Sequence, residues 1–170
     1  MPVDCAHGDP ARLRDLFAGA DLVHVVRAGV AEPLVPEARR AAGVELMVES
    51  NVFGAVDAVA LEARAADVLQ PDIANAGGIT ELKKIAAMAE ARHVTMAPHN
   101  VCSPVGAIAE MHLDASLVNF LIQEYHAEFY TPHYFDVTRG FPRQKDGYVE
   151  LSEAPGLGLE LDEAEIARHP

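Results

Sequence analysis

Short apolar runs rich in β-branched residues alternate along this chain with polar turns and with stretches whose apolar residues recur at helical spacing. Asp9 and Pro10 read as an N-cap and first helical residue, with Leu13, Leu16 and Phe17 following on one face. Leu22 to Val26 is an extended run. Pro36 to Ala42 reads as a short helix stopped at Gly43, and Val44 to Val48 is a further strand that ends on Glu49. Val68 and Leu69 belong to another. After Gly77-Gly78, the stripe Ile79, Leu82, Ile85, Ala86 and Ala89 predicts an amphipathic helix, and Val94 to Ala97 is extended behind it. Val105, Ile108, Ala109 and His112 repeat that spacing before the run Val118 to Ile122. Past Glu124 the pattern breaks up among Pro132, Gly140, Pro142 and Gly147. Tyr148, Val149 and Leu151 then predict a short strand ahead of a turn at Pro155 to Gly158.

The residues at the exits of the extended runs are Asp4, Val26, Glu49, Asp72, His99 and Glu124, successively 22, 23, 23, 27 and 25 positions apart. A parallel strand, a crossover helix and two short loops need about that length. Near-constant spacing favours a (β/α) barrel over an open sheet that reverses its winding. The expected fold is therefore α/β: a partial TIM-type barrel of about six βα units over residues 1–126, with residues 127–170 as a C-terminal tail packed on it. Strand exits of a barrel share one face, so Glu49, Asp72, His99 and Glu124 are expected to converge there. A complete barrel usually takes ~250 residues and eight strands, so the chain reads as truncated.

Composition narrows the functional classes. In 170 residues, 13 basic against 26 acidic side chains give a net charge of −13, and the pI is near 4.9. Nucleic acid is not an expected partner, because phosphate binders carry a basic face or stripe. No apolar run approaches the ~18 residues of a membrane helix, so a membrane is not expected either. Cys5 and Cys102 form neither a C-x-x-C pair nor a disulfide framework, and no leader-like segment precedes them. A reducing cytoplasm is the expected location.

Two carboxylates and an imidazole at strand exits suit metal-assisted acid/base chemistry, since Mg²⁺ prefers hard oxygen ligands and His can hold or take a proton near pH 7. A carboxylate at Asp72 bonded to one ring nitrogen of His99 would fix the tautomer and leave the other nitrogen as a base. Position alone equally allows Asp72 to cap its loop and His99 to be an ordinary rim residue. His24, His93 and His112 read as structural or solvated, and His126 and His133 as loop residues. Cys102 near His99 could be a thiol nucleophile but reads better as a small loop residue. Gly77-Gly78 lacks phosphate-loop spacing, and Glu153, Glu160, Glu163 and Glu165 read as a solvated face.

Four segments carry a resemblance: Asp-Val-Leu-Gln-Pro-Asp (67–72), Asn-Ala-Gly-Gly-Ile-Thr-Glu (75–81), Ala-Pro-His-Asn (97–100) and Asn-Phe-Leu-Ile-Gln-Glu (119–124). Together they resemble the mandelate racemase branch of the enolase superfamily, and within it the sugar-acid dehydratases of the galactonate dehydratase type. The resemblance runs from about Leu61 to the end, including Pro155-Gly-Leu-Gly158. It implies the C-terminal barrel domain of that superfamily, one Mg²⁺, and removal of the proton α to a sugar-acid carboxylate followed by loss of water. Asp72 and His99 match the family's Asp-His dyad, and Glu124 its acidic residue near the substrate. Glu49 matches a metal-binding carboxylate, within Val48-Glu49-Ser50. Asp4 resembles a second metal ligand and His7 an acid/base residue, although one extra residue stands before His7. A further metal-binding Glu has no match in Val25-Val26-Arg27-Ala28, and neither the capping domain nor the first two strands has a counterpart. Racemisation needs a second base on one of those strands, so a lyase is expected. The alternative is an inactive truncated homologue that acts only in association. An open barrel would pair through its edges, giving a homo-oligomer or a complementing chain as expected partner.

Overall fold

The computed structural model describes residues 22–27 and 45–50 as backbone, and residues 61–62, 66–127 and 132–168. Four strands form one parallel sheet in chain order: β1 (Leu22–Arg27), β2 (Glu45–Ser50), β3 (Val68–Pro71) and β4 (Thr95–Met96). Consecutive strands are neighbours and all run the same way, the arrangement that repeated right-handed βα units produce. The ladder continues beyond the named strands at two points, since Asp72 bridges His99 and Met96 bridges Phe120, both parallel.

Local sequence explains each crossover. Val68–Pro71 is buried along its whole length, as expected of a strand covered on both faces. The chain then turns through Gly77 (φ 102°) and Gly78 (φ 88°), a left-handed pair that a side chain would strain. Helix α1 (Ile79–Glu90) buries Leu82, Ile85, Ala86 and Ala89, the stripe read from the sequence. Past Glu90 the chain turns at His93 (φ 60°), and Val94 N–H reaches back to the Ala89 carbonyl and satisfies an otherwise free helix end. Helix α2 (Pro104–Asp114) starts with Ser103, whose hydroxyl accepts from Gly106 N–H, and with Pro104 in the first helical position.

One core joins Leu61, Leu69, Ile73, Leu82, Ile85, Met96 and Leu113 between sheet and helices. A second joins Ala107, Ile108 and Met111 of α2 to Ala127, Tyr134 and Phe141, so the C-terminal stretch packs on the far side of that helix. There a 3₁₀ turn (Pro132–Phe135) precedes β5 (Thr138–Arg139), which pairs antiparallel with β8 (Glu160–Leu161). Between them β6 (Gln144–Lys145) and β7 (Tyr148–Val149) form a hairpin, and α3 (Glu163–Ile166) follows. Gly140 lies so close to the Gly158 carbonyl that a Cβ would sit 2.6 Å from its oxygen.

One expectation is shortened. The run Val118 to Ile122 is a single bridge at Phe120 rather than a strand, held by Met96 N–H to Asn119 O and Leu121 N–H to Met96 O. Among the described residues nothing pairs with its opposite edge. Val118 and Ile122 are accordingly 80% and 62% exposed.

Candidate active site

Asp72, His99 and Glu124 meet at the exits of neighbouring strands. Asp72 follows β3 directly, and its 2% exposure leaves the carboxylate dependent on protein partners. One oxygen, Oδ1, accepts from the N–H groups of Ala74 at 2.7 Å and Asn75 at 3.0 Å, so the side chain organises the loop that leads to α1. The other, Oδ2, lies 3.0 Å from His99 Nδ1. Burial alone would push the Asp72 pKa up. The hydrogen bond from His99 and those from Asn75 and Ala74 outweigh it and hold the carboxyl below its ordinary range. An ionised Asp72 only accepts, so Nδ1 carries the hydrogen and His99 Nε2 is left with its lone pair.

Glu124 faces that second nitrogen, with Oε2 3.9 Å from His99 Nε2. The same oxygen accepts from Asn100 N–H at 3.0 Å, and Oε1 lies 2.8 Å from His126 Nε2. Burial raises its pKa, but the Asn100 N–H and His126 more than offset it, so Glu124 also stays ionised. His126, read from the sequence as a loop residue, is therefore part of this cluster. Its position two residues past Glu124 was the available signal.

The other candidates separate cleanly. Cys102 donates to Asn100 Oδ1 at 3.2 Å; burial first, then the charges of Glu110 and Asp72, push the thiol up to about 12, so it is no nucleophile at neutral pH. His112 Nε2 meets the Leu157 carbonyl at 3.1 Å, a structural link to the C-terminal stretch. His133 lies edge-on to Tyr134 in the 3₁₀ turn. His24 lies within β1.

A fully buried carboxyl that sequence reading passed over lies beneath the dyad loop: Glu110, on α2, accepts from Ile73 N–H at 3.2 Å. Burial, together with the charges of Asp114 and Asp72, pushes Glu110 up to about 9. Burial pushes Asp114, one turn further along, up to about 8. The helical pattern placed both on α2, but nothing in it showed that a charge would face inward.

Asp4 and His7 lie outside the described residues. Glu49 stands in β2 opposite Gln70 of β3, two positions before Asp72, so the ladder brings this carboxylate-bearing residue to the neighbouring strand. Among the described residues no three His, Cys, Asp or Glu side chains gather as a metal site. The Asp72 oxygens are taken by His99 and two loop N–H groups, and those of Glu124 by Asn100 and His126. Among the described residues, the oxygens left over do not by themselves complete the near-octahedral set that Mg²⁺ takes, so further ligands would have to come from other positions.

Comparison with known proteins follows the same lines. The family described as Enolase C-terminal domain-like matches residues 30–165. D-xylonate dehydratase of Haloferax volcanii is 36% identical over 109 residues, 64% of this chain and 26% of that protein. A D-galactonate dehydratase family member of Salmonella virchow is 41% identical over 115 residues, 65% of this chain and 26% of its own. The chain thus spans about a quarter of the length of these relatives. Among solved structures, a mandelate racemase/muconate lactonizing enzyme-like protein of Rubrobacter xylanophilus superposes with a TM-score of 0.83 at 33% identity, covering 95% of this chain and 43% of that one. An enolase of Pantoea ananatis, solved with bound D-gluconate and Mg, gives 0.79 at 27% identity over 94% and 40%. The parallel ladder, the dyad at its exits and a match over most of the chain lead to one conclusion: this chain belongs to the enolase C-terminal domain-like family.

Proposed function

We propose that the chain carries the acid/base half of a sugar-acid dehydratase, a lyase that removes the proton α to an aldonate carboxylate and expels the neighbouring hydroxyl as water. The observation that supports it is His99, oriented by ionised Asp72 through Nδ1 and flanked by Glu124 at Nε2. Nε2 takes the α-proton as the C–H bond breaks, and the electron pair moves toward the substrate carboxylate. The imidazolium then returns that proton to the departing β-hydroxyl as the C–O bond breaks, and the enol product tautomerises to a 2-keto acid. Glu124, an acceptor only, positions the sugar acid by taking hydrogen bonds from its hydroxyls. The names of the relatives favour aldonates as the substrate class.

Mg²⁺ is the metal proposed, by analogy with the Mg-bound Pantoea structure. Glu49, at the β2 register position opposite Gln70, is one candidate ligand, and Asp4 is a second. Bound Mg²⁺ would supply positive charge to the substrate carboxylate as negative charge develops there. His7 is a candidate acid/base residue in the same reading. Among the described residues no helix is long and apolar enough to cross a membrane, and the proposed location is the cytoplasm.

The test is proton exchange at the α-carbon in D₂O, followed by NMR over a panel of aldonates with and without Mg²⁺. Exchange and keto-acid formation are expected for at least one aldonate. A folded sample that exchanges none of them at saturating Mg²⁺ overturns the reading.

A second reading, association without catalysis, is favoured by the open edge at Phe120. Its backbone pairs on one side only among the described residues, beside exposed Val118, Leu121 and Ile122. Such an edge accepts a strand of another chain, here a second copy. Sedimentation should show concentration-dependent self-association that Ile122→Lys weakens at least about tenfold, equivalent to about 1.4 kcal/mol. A monomer at all concentrations removes this reading.

A further inference from the structure

Three successive backbone N–H groups follow Asp72, and they find two different acceptors. Those of Ala74 and Asn75 go to Asp72 Oδ1. The first, from Ile73, goes across 37 positions to Glu110 Oε1 on α2. Ile73 is buried, so without Glu110 its N–H would be an orphan donor immediately beside the dyad carboxylate. Glu110 is itself fully buried. It reaches the loop from the helix that begins five residues after His99, so it ties the Asp72 side of the dyad to the element that follows the His99 side.

We propose that Glu110 is a positioning residue: its carbonyl oxygen clamps the Ile73 N–H and thereby fixes the direction in which Asp72 presents Oδ2 to His99. The inference rests on the reading of Asp72 and His99 as an acid/base pair, but the clamp itself is a property of the folded chain and needs no substrate. The raised pKa of Glu110 agrees with this role. A neutral carboxylic acid accepts from Ile73 without placing a second negative charge beneath Asp72.

Two substitutions separate the clamp from mere packing. Glu110→Gln keeps an uncharged side chain of the same shape with a carbonyl acceptor. Glu110→Leu keeps the volume and removes the acceptor. In the folded protein without substrate, the His99 Nδ1–H resonance should stay sharp and downfield in Glu110→Gln, and should broaden or disappear in Glu110→Leu. In turnover, Glu110→Leu should lose about 10- to 100-fold in kcat with KM nearly unchanged, the loss expected when reacting groups are misaligned. Glu110→Gln should stay within about threefold, since its acceptor is retained.

An undisturbed His99 Nδ1–H signal in Glu110→Leu overturns the proposal, and so does damage by Gln equal to that by Leu. If Glu110→Leu does not fold, hydrogen exchange on the parent chain decides. The Ile73 amide should be protected as strongly as the core amides of Leu82 and Ile85, and rapid exchange there overturns the clamp. Should no aldonate react at all, the NMR and exchange results still judge Glu110, and the failure belongs to the proposed function alone.

Discussion

His99→Asn is expected to slow α-proton exchange by about a thousandfold, in the middle of the range for loss of a positioned general base. Asn still offers an N–H to Asp72 Oδ2, so the loop and its two backbone hydrogen bonds should survive and the variant should fold as the parent does. What disappears is the lone pair at Nε2. Asp72→Asn should be nearly as damaging for a different reason. Its carbonyl can still accept from Ala74 and Asn75, which turns the amide NH₂ toward His99 Nδ1. That forces Nδ1 to accept and moves the ring hydrogen to Nε2, so the base is intact but protonated on the wrong atom. Exchange measured in D₂O on both variants checks this, with folding confirmed by circular dichroism. Exchange within tenfold of the parent in His99→Asn would show that another group takes the proton.

Stability should be greatest near pH 5 and fall on both sides, because the carboxyls shifted by the fold split into two kinds. Glu110 and Asp114 have folded pKa values far above those of free carboxyls. Between about pH 4.5 and 8 the unfolded chain therefore releases protons that the folded chain keeps, and stability declines as pH rises. The slope is up to about 1.4 kcal/mol per pH unit for each group that stays protonated. Among the described residues neither buried oxygen of Asp114 has a hydrogen-bond partner to compensate an ionised form. Asp72 and Glu124 act in the opposite sense. Their folded pKa values are lowered, so the stability they contribute is present above the free-carboxyl range and is lost as pH falls through it. The double variant Glu110→Gln with Asp114→Asn should flatten the alkaline limb while leaving the acid limb in place. Urea unfolding at pH 5, 6.5 and 8 checks both. An alkaline limb unchanged in the double variant would show that these two groups do not control it.

The repeating part of the fold was readable because each crossover helix wrote its own period. The stripe Ile79 to Ala89, the Gly77-Gly78 turn and the Ser103-Pro104 start of α2 all carry local chemistry that a window of a dozen residues contains. The adjacency of Asp72 and His99 was readable through the spacing of strand exits, which converts distance along the chain into neighbourhood around a rim, whereas their pairing as a dyad was legible only through the family resemblance. Three things were not readable. The bridge at Phe120 is short, and an apolar run in the sequence does not say how far its ladder pairing extends. His126 and Glu110 belong to the site through tertiary contacts alone: one lies on an irregular stretch, the other is an acidic residue on a helix face that periodicity could place but not orient. Asp4 and His7 lie outside the described residues, and Glu49 is placed only by its register.

The links among the rim residues join groups no more than 27 positions apart, 27 from Asp72 to His99 and 24 from Asn100 to Glu124, and the Glu110 clamp beneath them spans 37. Closing a loop of that length carries only a modest entropic penalty, which grows slowly with the number of residues enclosed. The chemistry is thus wired nearest neighbour to nearest neighbour, like adjacent staves held by short hoops. Folding of this rim can proceed unit by unit from a local start, without first bringing the two ends of the chain together.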